Sequence, residues 1–357
     1  MNYFPKYDGN IHPDEWINDI IKYYNMWEGS YGGFLITVKS LINPNIILPT
    51  EINDLVKLRD ALKKDITFTT FKNLNKRKLQ SLEYKSERDG GDTSKFLTGF
   101  RNLCYNSEIN DIEEQKKYFI KALSNYYYFL SNFGKRMNNI SSMNELIKEF
   151  EEIVMDESNT IRSGSIVALK HVATGKYLTS IEGLYYATGS KNQLVSMGSS
   201  ILDSNALWKI YNCDNNNNNG FIKTNLCLEH KISKYCLGIC HQIVIHQNRK
   251  SQYQNQYQYH KSPSSNHTEV NCNNGSETIW KICYDSGLEN HEGYLKSNDI
   301  VNLSIIKKRY GTQDGQVEFL CSHDAQFTIG SDTFQEVYCN ERLGENDEWC
   351  VELIKQA

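Results

Sequence analysis

No stretch of the sequence approaches the roughly 18 consecutive apolar residues that a spanning helix needs. The first residues, MNYFPKYDGNIH, lack the basic region and apolar run of a secretory signal. A cytoplasmic protein without a transmembrane segment is the reading that follows. Charge of one sign is also missing. The chain carries 39 basic and 43 acidic residues, for a net charge of −4. The balance holds along its length, with 21 basic against 23 acidic residues up to Thr160 and 18 against 20 beyond it. Neither half has the electrostatics of a nucleic-acid module, and no direct nucleic-acid partner is expected. Catalytic signatures are absent as well: there is no Gly-x-Ser-x-Gly, phosphate loop, dinucleotide fingerprint or His-Glu-x-x-His. No enzyme and no cofactor are expected, and acidic pairs such as Glu151-Glu152 read as solvated helix faces.

Nine of the ten cysteines lie after residue 200. Without a secretory signal they read as reduced thiols acting as small buried apolar side chains, several within strand patterns (Cys227, Cys236, Cys240, Cys339). Cys236, Cys240, His241 and His246, in CLGICHQIVIH, are zinc-ligand types. Their spacing matches no knuckle, and neighbours such as Cys240 and His241 point to opposite faces of a strand, so no metal is expected. The sequons at Asn139, Asn266, Asn274 and Asn302 are unsurprising in a chain this rich in Asn and Ser.

At 357 residues the chain is long enough for two domains with proper cores. Residues 12 to 157 read mostly as amphipathic helix. HPDEWINDIIKYYNMW opens with Pro13 and acids in its first turn, then sets Trp16, Ile17, Ile20, Ile21 and Tyr24 at helical spacing. PTEINDLVKLRDALKKD has Thr50 as its cap and Ile52, Leu55, Leu58 and Leu62 on one face. TSKFLTGFRNLCYN, DIEEQKKYFIKALSNYYYFLSNF and SMNELIKEFEEIVMD complete a compact bundle. The order of these pieces resembles the capsid part of Gag polyproteins from gypsy-type retrotransposons, through Phe4, Gly9, PDEWI and NELIKEFEEIV. That resemblance covers about residues 4 to 155 and implies self-association into a homo-oligomer through helical lobes. The alternative is an unrelated helical bundle. No Cys-x2-Cys-x4-His-x4-Cys spacing follows, so the usual instrument of nucleic-acid packaging is missing.

Helical periodicity stops at MDESNTIRSG, residues 155 to 164, and alternation begins. From there the sequence repeats. VALKHVATGKYLTS at Val167 returns as LCLEHKISKYCLGI at Leu226. Trp208, Trp280 and Trp349 stand 72 and 69 residues apart, in LWKI, IWKI and EWCV. Each follows a short segment, QLVS, TEVNC or QEVYC, whose valine precedes the tryptophan by 13, 10 and 12 residues. Leu169, Leu228 and Leu303 fall in register within the first strand of each copy. One such copy cannot bury its apolar face alone, whereas three about a pseudo-threefold axis share a core built on those leucines and tryptophans. The fold expected is therefore multidomain α + β, with a capsid-like helical domain over 1–157 and an all-β β-trefoil over 158–357. Its repeats occupy about 162–212, 220–284 and 293–354.

The wording of the repeat resembles the MIR family, named for protein mannosyltransferases and the inositol trisphosphate and ryanodine receptors. The residues that carry it are Gly164, Leu169, His171, Tyr177, Leu178, Gln335, Val337, Asn346, Asp347, Trp349 and Val351. The chain departs from the pattern in two places. The third copy has Ile305 in place of His, and IIKKRYGTQDGQVEFLCSHD blurs its Tyr-Leu step. The second copy carries the insertion HQNRKSQYQNQYQYHKSPSSNH. That insertion and NCDNNNNNG read as flexible loops between strands, with Tyr253, Tyr257 and Tyr259 as residues able to stack on a ligand.

His171 and His230 are each followed by a Lys-Tyr pair, Lys176-Tyr177 and Lys234-Tyr235. On one reading these residues line a sugar or phosphate pocket, and Lys170 and Lys231 add attraction for an anion. On the other they are hairpin-turn residues, Thr174-Gly175 forming the turn while the tyrosine packs over the next strand. The function expected is a non-enzymatic binding or adaptor protein whose trefoil recognises a glycan, an inositol phosphate or a protein. The alternative is a domesticated Gag-derived assembly protein, and an enzyme associated with glycosyl transfer ranks last.

Overall fold

The computed structural model describes residues 5–25, 33–214, 220–247, 253–275, 277–283, 293–312 and 314–357. Phe4, most of the asparagine run and residues 248–252 of the insertion lie outside them. The chain divides into two compact units, Met1–Met155 and Asp156–Ala357. Among the described residues no helix is long and apolar enough to cross a membrane.

The first unit is helical: α1 (Pro13–Asn25), α2 (Phe34–Ser40), α3 (Leu55–Lys64), α4 (Ile66–Gln80), α5 (Thr93–Asn106), α6 (Ile112–Ala122), α7 (Tyr127–Arg136) and most of α8 (Met143–Asn159), whose last four residues belong to the second unit. Aspartates set the starts of four of them. Asp54, Asp65, Asp92 and Asp111 each accept a backbone N–H from the first turn that follows. Asp54 therefore takes the capping role expected of Thr50. The single helix expected over DIEEQKKYFIKALSNYYYFLSNF is broken at residues 123–126, where Tyr126 N–H turns back to the Leu123 carbonyl. Trp16, Ile17 and Ile20 of α1 pack on Leu58 and Leu62 of α3, as their spacing requires. Asp14 ties the same two helices through Arg59 at 3.0 Å and Lys63 at 2.8 Å. Farther along, Phe96, Phe119, Phe129 and Phe150 pack with Tyr84, mostly edge to face.

The second unit is antiparallel β-structure, and the chain as a whole is α + β. Its first stretch holds β1 (Ile166–His171), β2 (Leu178–Tyr185), β3 (Gln193–Met197) and β4 (Trp208–Asn212). The second holds β5 (Asn225–His230), β6 (Cys236–Gly238), β7 (His241–Gln247), β8 (Tyr253–Tyr259), β9 (Thr268–Glu269), β10 (Asn271–Asn273) and β11 (Trp280–Cys283). The third holds β12 (Asp299–Lys308), β13 (Gly315–Ile329), β14 (Asp332–Asn340) and β15 (Trp349–Lys355).

Six of these strands close a ring in the order β1–β4–β5–β11–β12–β15 and back to β1. Its register recurs three times. Trp208, Trp280 and Trp349 stand opposite Val167, Leu226 and Val301 of their own stretch. Leu169, Leu228 and Leu303 stand opposite Val351, Ile210 and Ile282 of the preceding one. All three indoles are fully buried. Each N–H donates to a leucine carbonyl on a hairpin strand: Leu178 at 3.1 Å, Leu237 at 2.9 Å and Leu320 at 2.9 Å. Leu320 thus marks the step that the third copy blurs in sequence.

The insertion is not the loop its composition implied. β7 and β8 form a two-stranded sheet with His241 opposite Tyr259, Ile243 opposite Tyr257 and Ile245 opposite Asn255. In YQNQYQY the tyrosines recur on odd positions and glutamines on even ones. That period of two specifies a strand beneath the low-complexity composition.

Replacing Trp349 with Ala is expected to destabilise the second unit by about 3–5 kcal/mol through the cavity it leaves. Trp349→Phe keeps most of the ring but orphans the Leu320 carbonyl, for about 1–3 kcal/mol. Because the three sites share one geometry, Trp208→Phe and Trp280→Phe should cost the same within about 1 kcal/mol. Urea unfolding followed by circular dichroism measures all three, and one variant behaving as wild type would break the equivalence.

Candidate ligand-binding cleft

The turn residues singled out in the sequence do not converge on one site. His171 is fully buried, with its ring 4.9 Å from that of Trp349. Its Nε2 lies 3.0 Å from the Asn346 carbonyl and must donate there, which leaves Nδ1 to accept from the Thr174 hydroxyl at 3.0 Å. His230 repeats the Nδ1 side of this arrangement, with Ser233 Oγ at 2.9 Å from Nδ1 and its ring 5.3 Å from Trp208. Each imidazole therefore fastens a hairpin to the tryptophan of the preceding stretch. Ile305, also buried, holds the corresponding place in the third.

The two Lys-Tyr pairs are not equivalent. His171 N–H bonds to the Lys176 carbonyl, and His230 N–H bonds to that of Tyr235, both at 2.8 Å. Lys234, at φ +64°, holds the left-handed position that Gly175 holds at +67°. The match by sequence is offset by one residue. Lys176 Nζ donates to Gln335 Oε1 at 2.7 Å, and Lys170 lies over the Tyr177 ring at 5.6 Å. The Tyr177 hydroxyl donates to Glu352 at 2.8 Å, and burial, with that carboxylate beside it, pushes the phenol up to about 12. Lys234 reaches Glu229 at 3.9 Å, and Tyr235 packs against the core. These side chains already have partners within the fold.

The zinc-ligand types are dispersed in the same way. Cys240 Sγ accepts from Asn192 and Asn271, and His241 stacks on Tyr257 with 3.7 Å between centroids. The side chain of His246 lies outside the described residues. Among those described, no three His, Cys, Asp or Glu side chains group as a cation site requires.

A cleft of about 940 Å³ opens elsewhere, between β8 and the turn that joins β12 to β13. One wall presents Asn255, Tyr257 and Tyr259, and the other Lys307, Lys308, Arg309 and Tyr310. Both walls are departures from the repeat: the insertion of the second stretch and the lengthened hairpin of the third. They are stitched together. Asn255 Nδ2 donates to the Tyr310 hydroxyl at 3.0 Å, the Tyr259 hydroxyl to the Lys308 carbonyl at 3.4 Å, and Tyr257 meets Tyr310 edge to face at 5.1 Å. Tyr259 is buried at the base, where burial drives its phenol well above the ordinary range. Lys307 pairs with Glu318 at 3.0 Å and Lys308 with Glu277 at 2.7 Å. A smaller hollow of about 510 Å³ adjoins it across Lys308, lined in part by Ile279, Ile306 and Val317. Tyr257 and Tyr259 were singled out in the sequence as residues able to stack on a ligand. Lys307 to Tyr310 were not, and the only signal for them was the break in the third copy.

No family model and no curated protein matches the sequence. Solved structures do. They include an SDF2-like protein from Arabidopsis thaliana, at 22% identity over 54% of this chain and 94% of that one, with a TM-score of 0.39. A Caenorhabditis elegans protein of unknown function matches at 17% identity over 55% and 98%, also with a TM-score of 0.39. The protein O-mannosyltransferase Pmt1-Pmt2 complex of S. cerevisiae, bound to its sugar donor, matches at 16% identity over 72% of this chain and 37% of that one, with a TM-score of 0.39. At these scores the architecture rests on the chain's own strand pairing. The capsid resemblance of the helical unit finds no support in these comparisons.

Burial holds both His171 and His230 below the ordinary histidine range. A depressed folded-state value means that the unfolded chain binds the proton more readily. The stabilisation is complete above the unfolded value of about 6.5 and is lost as pH falls through the folded values. The urea midpoint of the second unit should therefore drop between pH 7 and pH 5. The double variant His171→Gln/His230→Gln should lower it at pH 7 and flatten that slope. An unchanged slope would remove these imidazoles from the acid response.

Proposed function

We propose that the second unit is a β-trefoil of the MIR type and acts as a non-enzymatic binding module for a glycan held in the β8/β12–β13 cleft. The closed six-strand ring and the threefold recurrence of the indole bond support the architecture. The observation that carries the function is the cleft itself. It is built from the two segments where the repeat is broken, and it joins aromatic faces to amide and cationic side chains. Tyrosine rings offer flat apolar surface to the C–H face of a sugar, while Asn255, Gln256 and Gln316 supply donors and acceptors for its hydroxyls. Its volume lies within the range of small-ligand sites, roughly 300–1,000 Å³. These are groups that bind and orient. Among the described residues no carboxylate lines the cleft; Glu277 and Glu318 are held in ion pairs with its lysines, and Asp314 lies exposed in the β12–β13 turn. No observation in the helical unit favours assembly, and the capsid-derived reading is not carried forward.

The test is retention of the full chain on an immobilised glycan panel. Tyr257→Ala should weaken retention about tenfold or more, a loss of roughly 1.4 kcal/mol. Lys176→Ala, in the turn between β1 and β2, should leave it unchanged. Loss at Lys176 with none at Tyr257 would return the site to the repeated turns.

A further inference from the structure

We infer that the ligand of this cleft is a saccharide bearing a single acidic group, which Arg309 reads. The inference rests on the proposed binding role and follows from the charges that face the cleft. Three cations stand in a row, Lys307, Lys308 and Arg309. Two are committed. Lys307 holds Glu318, whose side chain is 3% exposed, and also donates to Thr268 Oγ1 at 3.2 Å. Drawing Lys307 onto a ligand would leave that carboxylate buried and uncompensated, among the costliest arrangements in a protein interior. Lys308 is bound in the same way to Glu277, whose side chain is 12% exposed.

Arg309 differs. Its side chain is exposed at the rim, and among the described residues its guanidinium makes no ion pair. Its backbone is fixed. Arg309 N–H donates to the Asp314 carbonyl at 3.0 Å, and its own carbonyl accepts from the Thr312 N–H at 3.2 Å. The side chain therefore leaves a backbone that is hydrogen-bonded on both sides, next to Tyr310. A planar fork of donors suits a carboxylate, sulfate or phosphate bidentately. With both lysines committed, Arg309 is the cation left for the ligand among the described residues that line the cleft, and Asp314, exposed in the same turn, adds a negative charge that disfavours a multiply charged one.

One charge decides between ligand classes. An inositol polyphosphate would bring several negative charges beside Glu277, Glu318 and Asp314, with Arg309 as the one uncommitted cation among the described lining residues to receive them. Nucleic acid needs a cation for phosphate after phosphate along its backbone. A saccharide with one acidic group places its charge at Arg309 and its ring faces and hydroxyls on Tyr257, Tyr310, Asn255 and Gln316.

The experiment is calorimetric titration of the full chain with one disaccharide in neutral, uronate, monosulfated, monophosphorylated and disulfated forms, beside inositol trisphosphate. The expected result is binding at least about tenfold tighter for the singly acidic forms than for the neutral one. Arg309→Gln should erase that margin. Glu277→Gln, which releases Lys308, should raise affinity for the disulfated form relative to the monosulfated one. Equal affinity for neutral and acidic forms, with binding still lost in Tyr257→Ala, would overturn the charge reading and leave the cleft as a neutral-glycan site. Tighter binding of inositol trisphosphate, or no gain for the disulfated form in a folded Glu277→Gln, would overturn it as well. No binding of any probe by the folded chain would overturn this inference and the binding role together.

Discussion

A buried indole N–H must find an acceptor, and the second unit is organised around meeting that demand three times. Trp208, Trp280 and Trp349 sit where water cannot reach, so each donor needs a carbonyl supplied by the chain. The carbonyls come from Leu178, Leu237 and Leu320, on the strands that rise out of the ring into the hairpins. One bond thus fixes the height and rotation of a hairpin over the ring. The leucines at 169, 228 and 303 fill the layer beside the indoles, each opposite a branched residue of the preceding stretch. Side-chain volume and backbone bonding agree at all three positions, which is the consistency a single native arrangement requires.

The two histidines extend this scheme toward the surface. Their polar edges are matched by Thr174 or Ser233 on one side, and for His171 by the Asn346 carbonyl on the other. Ile305 meets the same need at the third junction by having no polar edge to match. The side chain differs, but the position stays buried in the same core. The third hairpin is also the longer one, built from β12 and β13, and it carries Lys307 to Tyr310.

The parts of the fold legible in sequence are those that packing repeats. Three tryptophans, three leucines and the valines before each tryptophan recur because a shared core recurs, and they could be matched without knowing any contact. Amphipathic spacing placed Trp16, Ile17 and Ile20 on the buried face of α1 for the same reason. What stayed hidden depends on backbone conformation or on distant pairing. The offset between the Lys-Tyr pairs arises because Lys234 adopts a left-handed conformation that a glycine announces and a lysine does not. Asp54 rather than Thr50 caps α3 because both are competent capping types and only the first turn's position decides. The cleft was the least readable of all. Its walls come from segments about fifty residues apart, each conspicuous only as an interruption, and nothing in either one names the other. The Tyr-Gln alternation of β8 carried the correct period, but a composition of so few residue types masked it.

The ring has one further property. It is closed by β1 and β15, the strand by which the chain enters and the strand by which it leaves, and they run side by side over six paired positions from Ile166 to His171. Gln356 continues the seam by donating to the Thr160 carbonyl at 2.8 Å. Entry and exit are therefore a single doorway in the wall of the ring, and the order in which the three stretches are threaded is not written into their packing. Joined across that doorway and reopened between any two stretches, the same chain would describe the same object with a different beginning. Where the polypeptide starts around this ring is a matter of its history rather than of its physics.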